Sequence, residues 1–246
     1  MTVVVVSGTG TEVGKTIVTA AIAAVAMAAG RRVCVVKPAQ TGVGDGDEAD
    51  VEVVKRLSGA LDVHELARYP DPLAPATAAR RAQVSAVPVT TMIERIRALH
   101  GRDLILVEGA GGLLVRLDDD GSTVADLARG LAARVIVVAA AGLGTLNATA
   151  LTCEAVRNRG LECAGVVVGA WPSKPDLAAL SNLDDFEVYA AAPLLGVIPA
   201  GAGAMDRLSF LQAATRGLSH PRWADLGCPR SRLVSALPQR NEGPCS

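Results

Sequence analysis

Residues 3–16 read VVVVSGTGTEVGKT, and this stretch decides the fold. Four consecutive β-branched valines predict a strand that is buried on both faces, because the run has no polar side to present to water. A glycine-rich loop follows, and the alanine-rich run after Lys15 predicts a helix that ends near Gly30. A strand, a glycine-rich loop and a helix in this order are the context in which a loop binds phosphate.

The loop carries the residue types that phosphate binding requires. Its glycines let backbone N–H groups converge on phosphate oxygens, and the helix N-terminus adds free donors and a favourable dipole. Lys15 places a cation near the terminal phosphates, and Thr16 offers a hydroxyl to Mg²⁺. Five residues, instead of the usual four, separate Gly8 from Gly14. A glycine-rich turn that binds nothing is the alternative, and the coincidence of strand, Gly-Lys-Thr and helix argues against it.

Short apolar runs alternate with helix-forming segments along the rest of the chain. The predicted strands after the first lie at residues 33–36, 104–107, 135–139, 166–168 and 194–198. This alternation predicts an α/β fold with a single-domain, doubly wound, mostly parallel sheet of about six strands and helices on both faces. The spacing of Thr91 and Glu94 predicts a capping box that starts a helix running to about His100. We predict one domain over residues 1–217 and a poorly ordered tail over residues 218–246.

The composition of the 246 residues argues against several classes of function. A formal net charge of −1 gives no basic surface for nucleic acid, and 2% aromatic residues give no platform for base stacking. Five cysteines without a C-x-x-C motif predict reduced thiols in the cytoplasm, with neither a zinc site nor a disulfide framework. The three histidines, His64, His100 and His220, lie in unrelated contexts without metal spacing. The apolar run at residues 17–30 is too short for a bilayer and lacks a signal-peptide flank, so we expect a buried helix.

Ligands of doubly wound sheets bind at the carboxyl ends of the strands, and this rule selects further segments. Lys37 ends the second predicted strand, and we interpret it as a second cation over phosphate instead of a surface lysine. Glu108 ends the third, where a carboxylate can hold Mg²⁺, and glycines follow it. The GLGTLN run at residues 142–147 ends the fourth, and the residues alone leave open whether it starts a helix or forms a substrate loop.

An acidic cluster precedes the next predicted helix. Asp45, Asp47, Glu48 and Asp50 all lie within six positions. Most acidic residues in a first helical turn only complement the helix dipole. Because Mg²⁺ takes only one or two protein carboxylates, at most one of the four should be a ligand.

Together these segments resemble the dethiobiotin synthetases. The resemblance rests on GTGTEVGKT at 8–16, KPAQTG at 37–42, VEGAGG at 107–112, GTLN at 144–147 and PLLGVIP at 193–199. It covers residues 1–217 and includes the five-residue gap in the phosphate loop. The family has the P-loop NTPase fold and is a homodimeric, Mg²⁺- and ATP-dependent cyclo-ligase of biotin biosynthesis. It adds CO₂ to 7,8-diaminononanoate and closes a ureido ring through a carbamate and a carbamic–phosphoric anhydride.

The resemblance implies a role for each matched residue. Lys37 and Lys15 are the implied catalytic residues, and Thr16, Asp50 and Glu108 are the implied Mg²⁺ ligands. The implied substrate-binding residues are Thr11, Lys37 and Thr41 near the diamine, and Gly144, Thr145, Leu146 and Asn147, which the partner subunit contributes at the dimer interface. The implied nucleotide-binding residues are Glu12, Val13, Gly14, Lys15, Thr16, Ile17, Asp50, Glu108, Gly109, Ala110, Gly111, Gly169, Ala170, Pro199, Ala200, Gly201 and Asp206.

One position departs from the family. Many members have an Asn after the fifth strand that reads adenine, and here the corresponding place is Gly169-Ala170. Glycine has no side-chain amide, so we expect a relaxed nucleobase preference, with main-chain groups around Pro199–Gly201 supplying the remaining contacts.

Two other interpretations compete with this one. A P-loop ATPase switch that binds a macromolecular partner is one, but residues 9–13 lack the lysine that such switches carry in the loop. A cobyrinate-type amide synthetase fragment is the other, but the chain has no room for an amidotransferase domain.

Overall fold

A doubly wound α/β sheet forms the centre of the molecule. The computed structural model describes residues 1–44 and 46–226. Within them the strands are β1 Thr2–Gly8, β2 Val33–Lys37, β3 Gln40–Thr41, β4 Val63–Glu65, β5 Arg68–Tyr69, β6 Leu104–Gly112, β7 Arg134–Ala139, β8 Cys163–Trp171 and β9 Leu194–Pro199. The α-helices are α1 Lys15–Ala28, α2 Asp50–Ser58, α3 Pro75–Arg81, α4 Val89–Arg97, α5 Val124–Gly130, α6 Thr145–Asn158, α7 Leu177–Ala190 and α8 Arg207–Gly217.

Seven of these strands form one sheet, in the order β4-β2-β6-β1-β7-β8-β9, and every pairing is parallel. Side chains alternate across β1, so Val4 and Val6 belong to the core that α1, α2 and α8 cover, whereas Val5 belongs to the core that α4, α5, α6 and α7 cover. The predicted fold class is therefore confirmed. None of the helices in the described part of the chain is long and apolar enough to cross a membrane.

The structure adds strands that the sequence pattern did not predict. The edge strand β4 contains only Val63, His64 and Glu65, which is too short and too polar to show an apolar run. Strands β3 and β5 form a separate two-stranded parallel sheet, with Gln40 opposite Arg68. The sequence pattern does not predict this small sheet, because two-residue strands leave no periodicity to detect.

The start of α4 differs from the predicted capping box at Thr91. The helix begins at Val89 with Pro88 as its N-cap, and no side chain of the cap residue accepts a hydrogen bond there. Instead Asp118, distant in sequence, accepts a hydrogen bond from the Val89 N–H at 2.9 Å. A tertiary contact thus satisfies the donor that a local cap would otherwise take.

The folded domain continues past residue 217. Leu218, Trp223 and Leu226 are buried in the core beside α1 and α8, and the Trp223 indole N–H donates to the Leu195 carbonyl at 2.9 Å. The structured part of the chain therefore extends into the segment predicted as a tail. The remainder of that segment, residues 227–246, lies outside the described residues.

Candidate active site

The loop between β1 and α1 follows the carboxyl end of β1 in the sheet. Gly14 has a φ of +93°, a conformation that glycine adopts without steric cost, and it starts α1. Lys15 is buried, and its Nζ donates to the Gly10 carbonyl at 2.7 Å, so its side chain folds back over the loop. In this conformation Lys15 lines the cavity over the loop.

A buried cluster of charged side chains lies beside the loop. Lys37, at the end of β2, places Nζ 2.8 Å from Glu108 Oε1 and 2.5 Å from Asp50 Oδ2. Glu108, in β6 next to β2, also accepts a hydrogen bond from the Thr16 hydroxyl at 2.9 Å. Adjacent parallel strands and the starts of α1 and α2 thus bring four residues to one point.

The charges of the cluster shift one another's titration. Burial would lower the pKa of Lys37, but the carboxylates of Glu108 and Asp50 outweigh it and raise that pKa. Burial raises the pKa of Glu108, and Lys37 offsets only part of the rise. Burial also acts on Asp50, but the charge and hydrogen bond of Lys37 bring its pKa below the ordinary value. For Lys15, burial and then the charge of Lys37 lower the pKa.

Two adjoining cavities open above the cluster. The first, of about 460 Å³, lies over the phosphate loop and is lined by the charged cluster. The second, of about 520 Å³, is lined on its far side by Pro72, Pro75 and Val115. The two cavities adjoin, because both are lined by Thr11, Glu12, Thr41, Gly42, Ala110 and Gly111. A ligand with one charged end and one apolar portion can therefore extend from the first cavity into the second.

The donor set of the cluster fits Mg²⁺. Its possible ligands are the Thr16 hydroxyl and the carboxylates of Asp50 and Glu108, all hard oxygen donors. Two carboxylates face one ammonium group, which leaves a net negative charge for a divalent cation. Because Lys37 Nζ contacts both carboxylates, a cation bound there competes with the ammonium for them.

Comparison with known proteins agrees with this geometry. A protein-family profile described as an AAA domain matches residues 2–205. The ATP-dependent dethiobiotin synthetase BioD of a Parafrankia strain is 61% identical over 89% of this chain and 92% of its own length. The enzyme of the same name from Saccharopolyspora erythraea is 60% identical over 89% of this chain and 96% of its own. The chain belongs to the dethiobiotin synthetase family.

Solved structures with the same fold are more distant. The MinC:MinD cell division complex of Aquifex aeolicus aligns over 99% of this chain and 100% of that chain, with a TM-score of 0.53 and 14% identity. MinD of Pyrococcus horikoshii with Mg-ADP aligns over 92% of this chain and 93% of its own, with a TM-score of 0.51 and 19% identity. At such identities the likeness shows the fold alone, which these P-loop proteins share with the dethiobiotin synthetase family.

Half of the residues assigned to the dethiobiotin synthetase site by sequence meet at the first cavity. Those that line it are Thr11, Glu12, Gly14, Lys15, Thr16, Ile17, Lys37, Thr41, Asp50, Glu108, Ala110 and Gly111. Within the acidic cluster, Asp50 reaches Lys37, whereas Asp47 accepts from the Gly44 N–H and Glu48 pairs with Arg56. Asp45 lies outside the described residues.

The segment assigned to the nucleobase packs directly on the phosphate loop. A Cβ on Gly169 would lie 2.1 Å from the Val13 carbonyl oxygen, so any side chain at this position clashes with the loop. Gly109 is buried in the same sheet, and its carbonyl lies 3.4 Å from Lys37 Nζ. Ala170, by contrast, is exposed. Close packing therefore excludes an Asn side chain at residue 169, but nothing in the packing excludes one at residue 170.

Three other residues predicted to contact the nucleotide already make hydrogen bonds within the chain. The Ala200 N–H donates to the Trp171 carbonyl at 2.7 Å, and the Gly201 carbonyl accepts from Ala204. The Asp206 carboxylate caps α8 by accepting from Leu208 and Ser209. Beside Pro199, these residues lie at the end of β9, and their contact with a nucleotide stays a prediction.

The Gly144–Asn147 segment lies away from both cavities. Gly144 is the N-cap of α6, so the segment starts a helix. The Thr145 hydroxyl donates to the Ala140 carbonyl, which fixes the turn, while Gly144 and Asn147 are exposed. Among the described residues that line the two cavities, none comes from this segment.

Sequence reasoning missed two parts of the site. The Gln40 amide oxygen accepts from the Asp50 N–H at 3.1 Å and so positions the start of α2. The position of Gln40 in the sequence, between Lys37 and the acidic cluster, was the feature that could have indicated this role. The proline-containing wall at residues 72–75 has no chemical motif, and only the tertiary fold shows that it lines the second cavity.

Proposed function

We propose that this chain is an ATP-dependent cyclo-ligase that converts 7,8-diaminononanoate and CO₂ to dethiobiotin, with release of ADP and phosphate. Relatives about as long as this chain and about 60% identical to it carry the name of that enzyme. The observation that carries the mechanism is the buried Lys37 between Asp50 and Glu108, beside a phosphate loop and a second cavity.

The two anions of the reaction explain the two lysines. One amine of the substrate takes up CO₂ and loses a proton to become a carbamate. A carbamate oxygen then attacks the γ-phosphorus of ATP, ADP leaves, and a carbamic–phosphoric anhydride forms. The second amine attacks its carbonyl carbon and expels phosphate, which closes the ring. The first encounter joins a carbamate and a triphosphate, so Lys15 and Lys37 offset their repulsion in a water-poor site.

Thr16, Asp50 and Glu108 are the residues that we propose to hold Mg²⁺. When bound, the ion would neutralise phosphate charge and polarise the phosphoryl group. Thr11 and Thr41 line the wall between the two cavities, where their hydroxyls can accept from or donate to the diamine. The apolar second cavity suits the hydrocarbon portion of that substrate.

We further propose a homodimer in the cytoplasm, with Gly144–Asn147 serving the partner's site. The exposed start of α6 supports this, because a helix N-terminus suits a carboxylate and the segment does not line either cavity of its own chain. An apolar groove between α6 and the turn after β6 is lined by Leu151 and Leu114, both exposed, and gives a surface for a second copy. The free thiols Cys34, Cys153 and Cys163 suit a reducing compartment.

The test is phosphate release by the full chain with Mg²⁺, ATP, bicarbonate and 7,8-diaminononanoate, each omitted in turn. Release that requires all of them, with a product of the mass of dethiobiotin, is the expected result. Turnover that ignores the diamine and yields no new product would overturn the assignment and leave a P-loop NTPase with another partner.

A further inference from the structure

A second cluster of metal-ligand residues lies beside β2, on the face of the sheet opposite to the Lys37 side chain. It consists of Cys34, Asp62 and His64, and one donor atom from each lies within 4.8 Å of the others. In sequence these residues show no metal spacing, because Cys34 is remote from the other two. Strand pairing brings them together in the fold.

The register of β2 and β4 explains the cluster. Val36 pairs with His64, and Val35 pairs with Val63. Alternate residues of a strand share a face, so Cys34 lies on the face of Val36, and Asp62 lies on the face of His64. Three donor-bearing side chains therefore occupy one face at the sheet's edge.

The three side chains are already oriented toward one another. His64 Nε2 lies 2.9 Å from Asp62 Oδ1, while Arg102 Nε donates to the other carboxylate oxygen, Oδ2, at 2.6 Å. The hydrogen bond from Arg102 holds the Asp62 carboxylate in place, and a bound metal would replace the contact between Asp62 Oδ1 and His64 Nε2. Arg102 thereby orients Asp62 toward the histidine and the thiol.

The surroundings give the cluster one closed side and one open side. Cys34 is fully buried in the core, whereas Asp62 and His64 are partly exposed. Asp62 and His64 are therefore the two members of the cluster that solvent reaches.

We propose that Cys34, Asp62 and His64 bind a divalent transition metal of the zinc class. One sulfur, one nitrogen and one carboxylate oxygen are donors that Zn²⁺ and Co²⁺ accept, whereas Mg²⁺ prefers oxygen alone. The site is separate from the Thr16, Asp50 and Glu108 cluster and differs from it in chemistry. A bound ion would link the edge strand β4 to β2.

Cobalt titration of the full chain, freed of metal, tests the proposal. We expect a sulfur-to-cobalt charge-transfer band in the near ultraviolet that Zn²⁺ removes by competition. Cobalt at the all-oxygen cluster gives no such band, so failure of the proposed ligase site would not affect this readout. The C34S variant should lose the band, and H64N should weaken Co²⁺ affinity by ~10-fold or more.

Matched controls are C163S and H220N, which remove a thiol and an imidazole outside the cluster and should leave the band unchanged. The variants C153S and C228S/C245S test the three remaining cysteines in the same way. A band that survives in C34S, or an unchanged Co²⁺ affinity in H64N, overturns the proposal, as does the absence of any band. If C34S does not fold, as judged by circular dichroism, H64N decides, because its side chain is partly exposed.

Discussion

At the scale of single residues, Lys37 has two tasks. It neutralises the buried carboxylates of Asp50 and Glu108, and in the proposed mechanism it also neutralises the carbamate and phosphate. Removing one partner of a buried ionic cluster costs more than the cluster's net stability, because the remaining charges stay desolvated. A substitution of Lys37 should therefore lower both the stability of the fold and the activity.

We predict that K37M lowers kcat by about 10²–10³-fold and lowers the free energy of unfolding by about 3 kcal/mol at neutral pH. Lys37 lowers the pKa of Asp50, so the stability due to this pair exists above the unfolded pKa of Asp and is lost as pH falls. The deficit of K37M relative to the natural chain should therefore shrink on acidification. Denaturant unfolding across pH, with phosphate release, measures both effects.

The matched control is K55M. Lys55 faces Glu52 across 3.6 Å on the exposed surface of α2, where an ion pair contributes little. Activity and stability close to those of the natural chain are expected. A K37M protein as stable as K55M at neutral pH would show that the buried carboxylates carry no uncompensated charge.

The nucleobase position is a second prediction at this scale. Gly169 cannot carry an amide side chain and Ala170 has only a methyl group, so kcat/KM for ATP, CTP and GTP should agree within about tenfold. The exposed Ala170 tolerates substitution, and A170N should raise the ATP preference by restoring an amide, whereas A170S should not. A large ATP advantage in the natural chain would refute relaxed reading.

At the scale of elements, the end of β8 supports the phosphate loop. Added Cβ atoms at Gly169 and Gly196 would both meet backbone oxygens, at 2.1 Å from Val13 and 2.0 Å from Gly217. Only the first contact involves the loop.

We predict that G169A and G196A both lower the melting temperature, but that only G169A weakens ATP binding, by ~10-fold or more. Thermal unfolding and calorimetric titration separate the two, and equal ATP affinity in both variants would contradict the supporting role of β8.

Elements differ in how far the sequence predicts them. The buried valine-rich strands and α1 are evident because local pattern and tertiary position agree. Strand β4 and the β3–β5 pair are not, since their short polar sequences form strands only through their neighbours. Likewise, the phosphate loop and Lys37 follow from motif and position, but the Gln40–Asp50 contact and the wall at residues 72–75 depend on packing.

At the scale of the whole molecule, the described chain holds a phosphate loop, a charged cluster and an apolar cavity, and it presents the start of α6 outward. Asn147 is exposed there, and Leu143 beside it is 92% exposed. A two-fold dimer places the same patch of each copy against the other, so one outward segment can complete the other copy's site. In this arrangement each proposed site contains residues from both subunits.

Mixed dimers test that arrangement. K37M disables the lysine, and N147D should disable the segment by placing a negative charge where a substrate carboxylate binds. If the segment acts across the interface, a K37M/N147D hybrid contains one site in which both parts are intact, so an equal mixture should regain about a quarter of full activity after subunit exchange. If the segment acts within its own chain, no site in the mixture is intact and activity stays absent. N158D, the same change at the far end of α6, should leave activity unaltered and so excludes a general effect of charge on the helix.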